Sequence, residues 1–506
     1  MLISVQNILG GQLSALSGQR LEIELPLSKS ESNRALMIMH YAKLQSGKVA
    51  ETQSVMSDSD DTVLLQKHLN TLNKYIQNPL SEVRRPLTLE LDCHNAGTVF
   101  RFLMTAVAVA VAETQSRRDT KFKVNGLSQS QESELTVCVL LTGSERMKNR
   151  PIDSLVEALR SLGVSIEYTE KEGYPPILIG STDHEDLRGS LLSVDTGDTC
   201  DTRRLEISAE QSSQFASSLL LAAPLWENGL ELHLTGNLSS LPYIDMTISM
   251  MRQCGIDVER NDRDIIVKPG IYNIENIKVE PDWSAAAFWY EMVSLSDDAE
   301  VMLKNLNINS LQADAAAIKM FESLGVETLP LKEGSVVVKM VNSQQLTVNS
   351  QQSTANSQQS TANSQQSTVN GQWSTFNFKD CPDLFPAVIA ACAGNKVNAT
   401  FTGLKNLSIK ESDRKRAMMN ELMKINIRFE DVSDDELKMF CPDELPCFTE
   451  ETPIIFNNYE DHRIAMALSI LSMKIGTVSM ENVDVVSKSY PEFFKDSCIL
   501  HLYERK

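Results

Sequence analysis

Several sequence signatures of common enzyme classes are missing from this chain. It has no CxxC pair among its nine cysteines, no GxxxxGK[ST] phosphate-binding loop, and no HExxH, GxSxG or Cys–His signature. These absences exclude the usual zinc-ribbon, thioredoxin-like, P-loop and common hydrolase classes as interpretations. The seven histidines are scattered along the chain, so no metal site is expected.

Basic residues and long hydrophobic runs are also scarce. Lys and Arg number 47 against 67 Asp and Glu, which gives a formal net charge of −20. A field of that sign repels nucleic acid and anionic membranes, so neither is an expected partner. The most apolar helical stretch, at about 102–112, is too short to span a bilayer, and residues 1–20 do not resemble a signal peptide. Together with the unpaired cysteine pattern, this predicts a cytoplasmic protein with reduced thiols, expected to be a monomer.

The chain does contain a recurring alternation of short strand-like and longer helix-like segments. Leu21–Leu25 alternates like a strand and Ser32–Ala42 follows as a helix, and Leu87–Leu91 with Thr98–Ala112 repeats the pair. A length of 506 residues exceeds one ordinary core, so two or more domains of α/β or α+β class are predicted. A seven-residue repeat rich in Asn, Ser, Gln and Thr cannot bury enough apolar surface to order, which predicts a disordered insertion at about 342–374.

Polar segments, nearly all of which carry cations, lead into several of the predicted helix starts and turns. The segments are 26–34, 95–101, 141–151, 212–215, 406–414, 459–463 and 487–493. A helix N-terminus offers unpaired N–H groups and partial positive charge, and Lys and Arg add full charges that suit phosphate or carboxylate. Taken singly, most of these segments are better explained as solvated loops or ordinary caps. In an acidic chain their combination predicts a site for anionic small molecules, provided that the fold gathers them.

The order of these segments resembles the family of 5-enolpyruvylshikimate-3-phosphate (EPSP) synthases. LPLSKSESNRAL resembles the opening motif of that family, and NAGTVFR, LTGSERMKNRPI, SSQFASSLLLAAPL, PYIDMTISMM, IKESDR, DHRIAMA and KSYPEFF resemble later motifs. The resemblance implies an α/β (α+β) fold of two similar lobes, each of three βαβαββ units, arranged as an inside-out barrel. One lobe would span 21–280, and residues 1–20 with 281–506 would form the other.

The resemblance also implies a reaction. The family transfers the enolpyruvyl (1-carboxyvinyl) group of phosphoenolpyruvate to the 5-hydroxyl of shikimate 3-phosphate, through a tetrahedral ketal, and releases phosphate. The step belongs to the biosynthesis of chorismate and the aromatic amino acids, and it needs neither a metal nor an organic cofactor. The inhibitor glyphosate is linked to the glycine that corresponds to Gly97, so the resemblance implies sensitivity to it.

The resemblance carries substrate-binding roles onto individual residues. Shikimate 3-phosphate would be bound by Lys29, Ser30, Arg34, Ser212, Ser213, Gln214, Ser240, Tyr243, Asp383, Asn406 and Lys410. Phosphoenolpyruvate would be bound by Lys29, Gly97, Arg146, Gln214, Arg414, His462, Arg463 and Lys488. The catalytic residues would be Asp383, Glu411, Lys410 and Lys29. Asp383 would take the hydroxyl proton and Glu411 would protonate C3, with Lys410 sharing the proton transfer, but the sequence does not decide which residue moves which proton.

Two other interpretations stay open at this point. The enolpyruvyl transferase that acts on UDP-N-acetylglucosamine shares the fold, but it usually has a reactive cysteine in a mobile loop, and the SKSESNR and SSQ segments favour the shikimate enzyme. A non-catalytic duplicate is a different class of protein and would be expected to have lost some proton carriers. Asp383, Lys410 and Glu411 are all present in this chain.

Overall fold

The structure, a computed structural model, describes most of the chain and divides it into two compact units. The described residues are 2–4, 21–46, 56–77, 87–125, 137–180, 204–208, 213–236, 238, 240–297, 299–331, 334–340, 373–497 and 501–503. Lys29–Val279 forms one unit, here called the inserted unit, and Met1–Ser28 with Glu280–Lys506 forms the other, here called the terminal unit.

Short strands and longer helices alternate along both units. The described strands are β1 Leu2–Ser4, β2 Leu21–Ile23, β3 Leu87–Asp92, β4 Val137–Thr142, β5 Ile166–Tyr168, β6 Ile177–Ile179, β7 Arg204–Ser208, β8 Leu230–Thr235, β9 Val258–Asn261, β10 Asp264–Val267, β11 Glu300–Leu303, β12 Val326–Pro330, β13 Val336–Met340, β14 Trp373–Asn377, β15 Asn398–Thr402, β16 Arg428–Ser433, β17 Glu436–Phe440, β18 Ile454–Phe456, β19 Val478–Met480 and β20 His501–Tyr503.

The helices precede, separate and follow these strands. The described α-helices are α1 Lys29–Ser46, α2 Asp60–Gln77, α3 Gly97–Asn125, α4 Glu145–Lys148, α5 Asp153–Ser161, α6 Ser213–Ala222, α7 Leu241–Gln253, α8 Trp283–Ser294, α9 Ala317–Glu322, α10 Phe385–Gly394, α11 Arg414–Met423, α12 His462–Ile470, α13 Ser472–Ile475 and α14 Phe493–Asp496. Short 3-10 helices lie at Ala223–Leu225, Ala313–Ala316, Pro382–Leu384, Lys405–Ile409 and Val483–Lys488.

The described strands form five four-stranded sheets that share one pattern. Their strand orders are β3-β4-β6-β5 and β7-β8-β10-β9 in the inserted unit, and β2-β11-β13-β12, β14-β15-β17-β16 and β18-β19-β1-β20 in the terminal unit. In each sheet the first two strands are parallel and the remaining pairings are antiparallel. A parallel pair needs a crossover connection, which a helix supplies, so each sheet has the pattern expected of a βαβαββ unit.

Pairing between distant strands sets the boundary between the units, and it corrects the predicted one. β2 runs parallel to β11 with Leu21 opposite Val301, and the Ser28 N–H donates to the Glu280 carbonyl at 2.8 Å. Residues 21–28, expected in the same lobe as the segment that follows them, therefore belong to the terminal unit. The return crossing lies between Val279 and Glu280, one residue before the predicted position.

The predicted repeat insertion falls almost entirely outside the described residues. Its last two positions, 373 and 374, are an exception, because they begin β14. In that strand Trp373 lies opposite Asn398 of β15, and its indole ring packs edge-on against Phe440 with ring centroids 5.2 Å apart. The insertion therefore ends two residues earlier than the repeat pattern predicts, because this last copy of the repeat contributes an aromatic side chain that can pack.

Each unit has its own apolar core, which contains helices that are buried on nearly all sides. In the inserted unit one such helix is α3, where the apolar positions from Val99 to Ala112 are buried. In the terminal unit one such helix is α8, which Asp282 caps by accepting from the Ser284 N–H at 2.7 Å, and whose Trp283 and Trp289 are fully buried. Each helix within the described residues is either too short or too polar to cross a bilayer.

Candidate active site

The basic segment that opens the inserted unit forms the first turn of α1. Its helix begins at Lys29, three residues before the Ser32 start predicted from the sequence. Glu31 in this first turn complements the positive end of the helix, which favours the earlier start. The Lys29 ammonium lies 3.3 Å from the Asp61 carboxylate on α2, and both side chains are mostly buried.

Arg34 lies one turn further along α1 and is 2% exposed. Its Nε donates to Thr247 Oγ1 at 2.7 Å, its Nη1 donates to the Ser30 carbonyl at 2.8 Å, and its Nη2 donates to the Tyr243 carbonyl at 3.1 Å. Burial lowers the pKa of the guanidinium to about 10, so it stays charged at neutral pH. In this structure Arg34 therefore ties α1 to α7, close to two other predicted binding residues.

Gly97 begins α3 and leaves room for two arginines. A β-carbon at this position would lie 2.7 Å from Nη1 of Arg101 and would overlap the guanidinium of Arg150. Arg101 Nη1 donates to Gln214 Oε1 at 2.9 Å, and Gln214 Nε2 donates to Thr98 Oγ1 at 2.6 Å. The structure therefore brings Gly97 and Gln214, both predicted from the sequence, to the same end of α3.

The other predicted residues of the inserted unit differ in their burial and in their local conformation. Ser213 is buried at the start of α6, while Ser212 lies outside the described residues. Ser240 precedes α7 in a left-handed conformation with φ 57°, and its carbonyl accepts from the Tyr243 N–H at 3.2 Å. Arg146 lies on α4 with an exposed side chain, whereas Arg150, four residues later, is buried.

In the terminal unit, Arg414 is buried and lies at the centre of a group of three carboxylates. Its Nε donates to Asp461 Oδ2 at 2.8 Å, its Nη1 to Asp383 Oδ1 at 2.6 Å, and its Nη2 to Glu411 Oε2 at 2.7 Å. Burial by itself would lower the pKa of the guanidinium, but the Asp461, Glu411 and Asp383 charges raise it well above its ordinary value. Arg414 is therefore a permanent cation that fixes the orientation of all three carboxylates.

Asp383 is surrounded by cations on several sides. Besides Arg414, it accepts from Arg463 Nη2 at 3.0 Å and lies 3.5 Å from the Lys410 ammonium. Burial raises the pKa of this carboxyl, but the Arg463, Lys410 and Arg414 charges outweigh it and hold the pKa well below its usual range. Burial, in turn, lowers the pKa of Lys410 despite the attraction of Asp383.

Glu411 connects this cluster to the last predicted cation. Its Oε1 lies 3.6 Å from the ammonium of Lys488, which ends the 3-10 helix Val483–Lys488, and its Oε2 is held by Arg414. Asn406 lies nearby in sequence, in the 3-10 helix Lys405–Ile409, and is half-buried. The carboxyl of Glu411 is therefore bracketed by two cations.

The start of α12 brings Asp461, His462 and Arg463 to the same cluster. Asp461 is fully buried and caps the helix, accepting from the Arg463 N–H at 3.0 Å. His462 is also fully buried, with its Nδ1 3.8 Å from Asp461 Oδ1. Within the described part of the chain, Nε and Nη1 of Arg463 are buried without a hydrogen-bond acceptor, which suits an anionic ligand.

Asp314 also adjoins this cluster, although no motif pointed to it. It accepts a hydrogen bond from Ser284, and burial together with the nearby Asp383 charge raises its pKa to about 7, while Arg463 opposes the rise. Arg101, Arg150 and Asp461 were likewise outside the predicted set. A sequence signal did exist for these three, because each lies in a cation-bearing segment singled out above, whereas Asp314 had none.

The predicted residues fall into two groups, one in each unit. In the inserted unit, hydrogen bonds join Ser30, Arg34 and Tyr243, and Gly97 and Gln214 lie at one end of α3. The group in the terminal unit contains Asp383, Lys410, Glu411, Arg414, His462, Arg463 and Lys488. Such a group can bind anions through Arg and Lys and can move protons through Asp, Glu and Lys. In the described ranges, no cluster of three or more His, Cys, Asp or Glu is arranged to hold a metal ion.

Comparison with known proteins gives matches along nearly the whole chain. The sequence model of the EPSP synthase (3-phosphoshikimate 1-carboxyvinyltransferase) family matches residues 14–496. A 3-phosphoshikimate 1-carboxyvinyltransferase of Bacteroides fragilis is 31% identical over 491 residues, covering 96% of each chain. One from Sulfurovum sp. is 28% identical over 490 residues, covering 94% of this chain and 95% of its own.

The fold has a counterpart among solved structures. The EPSP synthase of Acinetobacter baumannii superimposes with a TM-score of 0.59 at 19% identity, covering 95% of this chain and 96% of its own. At that level of identity the match supports the fold, while the family rests on the sequence match along nearly the whole chain. This chain therefore belongs to the EPSP synthase (3-phosphoshikimate 1-carboxyvinyltransferase) family.

Proposed function

We propose that the two groups of residues described above carry out the reaction of this family in this chain. As an EPSP synthase, the chain is a transferase that moves the enolpyruvyl group of phosphoenolpyruvate to shikimate 3-phosphate in aromatic biosynthesis. The observation that carries the residue assignments is the position of Asp383. This predicted base lies within 3.5 Å of three cations, Arg414, Arg463 and Lys410, which an anionic substrate requires.

In the terminal unit, phosphoenolpyruvate is bound by Arg414, His462, Arg463 and Lys488. The substrate carries a phosphate and a carboxylate, and arginine can bind either group with two parallel hydrogen bonds. The free donors of Arg463 support this role, because a buried guanidinium nitrogen without an acceptor is costly until a ligand supplies one. Lys488 contributes a point charge beside Glu411.

In the inserted unit, the proposed ligands of phosphoenolpyruvate are Lys29, Gly97, Arg146 and Gln214. Gly97 supports this proposal because it lets a ligand approach the backbone at the positive end of α3, where Arg101 and Arg150 add charge. Arg101 orients the amide of Gln214 by donating to its oxygen.

Shikimate 3-phosphate binds residues of both groups that carry hydroxyls, amides and cations. In the inserted unit they are Lys29, Ser30, Arg34, Ser212, Ser213, Gln214, Ser240 and Tyr243, and in the terminal unit Asp383, Asn406 and Lys410. Hydroxyls at helix starts and ammonium groups suit a phosphorylated polyol. Arg34 supports the site in a second way, because its contacts with Ser30 and Tyr243 hold two of the proposed ligands together.

The chemistry requires one group to accept a proton and another to supply one. The 5-hydroxyl attacks C2 of phosphoenolpyruvate while C3 gains a proton, which gives a tetrahedral ketal. The ketal then loses a proton from C3 as it expels phosphate, which restores the double bond. Asp383 accepts the hydroxyl proton and Glu411 protonates C3, while Lys410 shares the transfer and Lys29 contacts both substrates. The low pKa of Asp383 keeps it ionised before the reaction, and an anionic substrate on Arg414 and Arg463 would offset these cations and make it a stronger base.

The remaining proposals concern compartment and assembly. Each of the seven described cysteines, 93, 138, 254, 381, 392, 441 and 447, is a free thiol, which supports a reducing compartment such as the cytoplasm. The chain carries a complete set of proposed ligands, so it needs no second copy and is proposed to act as a monomer. Light scattering would test the latter, and a mass of twice 56.3 kDa would contradict it.

The acceptor specificity can be tested by phosphate release. The purified chain is incubated with phosphoenolpyruvate and, in separate reactions, with shikimate 3-phosphate, UDP-N-acetylglucosamine or no acceptor. Release only with shikimate 3-phosphate is expected. Release with the nucleotide sugar would favour the sister transferase, and no release with any acceptor would favour the non-catalytic duplicate.

A further inference from the structure

The segment that precedes α12 contains two consecutive strained residues. Tyr459 and Glu460 have φ angles of 53° and 55°, a left-handed conformation that costs free energy in residues with a β-carbon. Such a conformation persists only where the surroundings hold it. The next residue is Asp461, which caps α12 and accepts from Arg414 Nε at 2.8 Å. The strained segment therefore sets the position of a carboxylate that orients the central arginine.

Side-chain contacts from α11 hold one end of this segment. Glu421, which is 1% exposed, accepts from the Asn457 N–H at 2.9 Å through Oε2 and from the Tyr459 hydroxyl at 2.9 Å through Oε1. Arg414 begins the same helix, two turns before Glu421. The helix that carries Arg414 is thus attached directly to the loop that carries its partner Asp461.

Asn458 holds the other end and reaches a second loop. Its buried side-chain amide accepts from the Glu460 N–H at 3.0 Å, and its Nδ2 donates to the Glu481 carbonyl at 2.6 Å and the Asn482 carbonyl at 3.1 Å. Asn482 has a left-handed φ of 48° and immediately precedes the 3-10 helix Val483–Lys488. One amide therefore connects the loop before Arg463 to the loop before Lys488.

We propose that Asn458 is a positioning residue for phosphoenolpyruvate binding. By joining these two loops, it fixes the spacing between the guanidinium of Arg463 and the ammonium of Lys488, which bind the same small anion. The proposal rests on the proposed function, because it assumes that both cations bind phosphoenolpyruvate. Asn458 itself touches no substrate, so its loss changes affinity through the two cations that it holds.

The substitution Asn458→Asp tests this with almost no change of shape. The aspartate keeps the oxygen that accepts from Glu460 but replaces the donor by an oxygen that repels the Glu481 and Asn482 carbonyls. The matched control is Asn457→Asp on the neighbouring residue, whose side chain is exposed and uses only its oxygen, on the Tyr459 N–H at 2.8 Å. Both variants add one negative charge to the same loop, and only one breaks the link.

We expect Asn458→Asp to raise the KM for phosphoenolpyruvate at least tenfold relative to Asn457→Asp, and the KM for shikimate 3-phosphate less than twofold. The difference between the variants should shrink as the pH is lowered toward 5, because a protonated aspartate can again donate to a carbonyl. Equal KM values for phosphoenolpyruvate in the two variants would overturn the proposal. So would a uniform loss of activity at unchanged KM, which a purely structural role predicts.

Two further measurements keep the outcome interpretable. If Asn458→Asp does not fold, Asn458→Ala removes the same donor without adding a charge, and it should show the KM effect without the rescue at low pH. If the unsubstituted protein releases no phosphate from phosphoenolpyruvate with shikimate 3-phosphate, the proposed function itself has failed. An active unsubstituted protein in which the Asn458 variants match Asn457→Asp contradicts the positioning role alone.

Discussion

At the scale of single residues, Gly97 shows how the absence of a side chain creates room for charge. A β-carbon there would meet the guanidinium groups of Arg101 and Arg150. We therefore expect Gly97→Ala to raise the KM for phosphoenolpyruvate and to weaken inhibition by glyphosate, each by roughly tenfold or more, since displaced binding groups cost about 1–3 kcal/mol. Steady-state kinetics with increasing inhibitor checks this. An unchanged inhibition constant would show that the two arginines move aside without consequence.

Asp314 predicts how phosphoenolpyruvate binding responds to pH. Its pKa is raised to about 7 by burial and by Asp383, and Arg463 and Asp282 are the other charges that act on it. As the pH rises through 7, Asp314 becomes an anion beside Arg463, which weakens the attraction of Arg463 for an anionic substrate. The KM for phosphoenolpyruvate should therefore rise between pH 6 and 8, about three- to tenfold.

The variant Asp314→Asn isolates that effect from the titration of the substrate. It keeps the side-chain shape but has no charge to gain, so its KM should change less over the same pH range than that of the unsubstituted protein. Both proteins are assayed in the same buffers, and the ratio of their KM values is compared. A ratio that does not vary with pH would remove Asp314 from the account of the site.

At the scale of elements, α8 carries a group that its surroundings do not satisfy. Glu291 is fully buried, and among the residues with described positions neither of its carboxyl oxygens has a hydrogen-bond partner. Burial raises its pKa well above the ordinary value of 4.5. The folded state therefore holds this proton more tightly than the unfolded state, and the free energy of unfolding falls as the pH rises above about 4.5, by up to about 1.4 kcal/mol per pH unit, until the folded pKa is reached.

Substitution of Glu291 should remove this pH dependence. We expect Glu291→Gln to flatten the dependence of unfolding free energy on pH, and Glu291→Met to stabilise the protein at pH 8 by about 1–3 kcal/mol, because an apolar side chain leaves no unpaired group. Denaturant unfolding at pH 6 and pH 8 measures both effects. A Met variant less stable than the original at pH 8 would indicate that the carboxyl makes a favourable contact there.

Sequence patterns predicted where helices and strands occur better than they predicted the long-range contacts between them. The strand and helix alternation and the cation-bearing helix starts could be predicted because they depend on neighbouring residues, as in the segment 459–463, where α12 begins. The carboxylates around Arg414 could not be predicted in this way, since Asp383 and Asp461 lie 31 and 47 positions away from it in sequence. Asp314 was missed for the same reason, because Ser284, which donates to it, lies 30 residues away. The resemblance to a family supplied residue roles that spacing alone could not.

At the scale of the whole molecule, the distribution of charge distinguishes this protein from a generally basic anion binder. The chain has a net charge of −20, yet Lys410, Arg414, Arg463 and Lys488 lie together in the terminal unit. Long-range repulsion of anions is screened by salt over about 8–10 Å, whereas contacts inside a buried cluster are screened much less. Binding of an anionic substrate therefore depends on the local cluster, and the overall acidity disfavours nonspecific polyanions.

The same sheet pattern recurs in both units. The terminal unit is formed from both ends of the chain, so strands near the N-terminus pair with strands far away in sequence. β1 pairs with β19 and β20, and β2 pairs with β11, so two sheets of the terminal unit each contain a strand from the first residues of the chain. Contacts of such high sequence separation are slow to form, because the entropy of closing a long loop precedes their gain. The fold therefore joins local βαβαββ pieces by a few long-range pairings.

The most direct test of the account compares two neighbouring carboxylates by phosphate release from phosphoenolpyruvate with shikimate 3-phosphate. Asp383 lies among Arg414, Arg463 and Lys410, whereas Asp380, three residues earlier, is exposed. Asp383→Asn should lower kcat by about 10²–10⁴, since a residue that carries a proton contributes that much, and Asp380→Asn should leave it unchanged. If a folded Asp383→Asn protein turned over as fast as the Asp380→Asn control, the proposed active site would be contradicted.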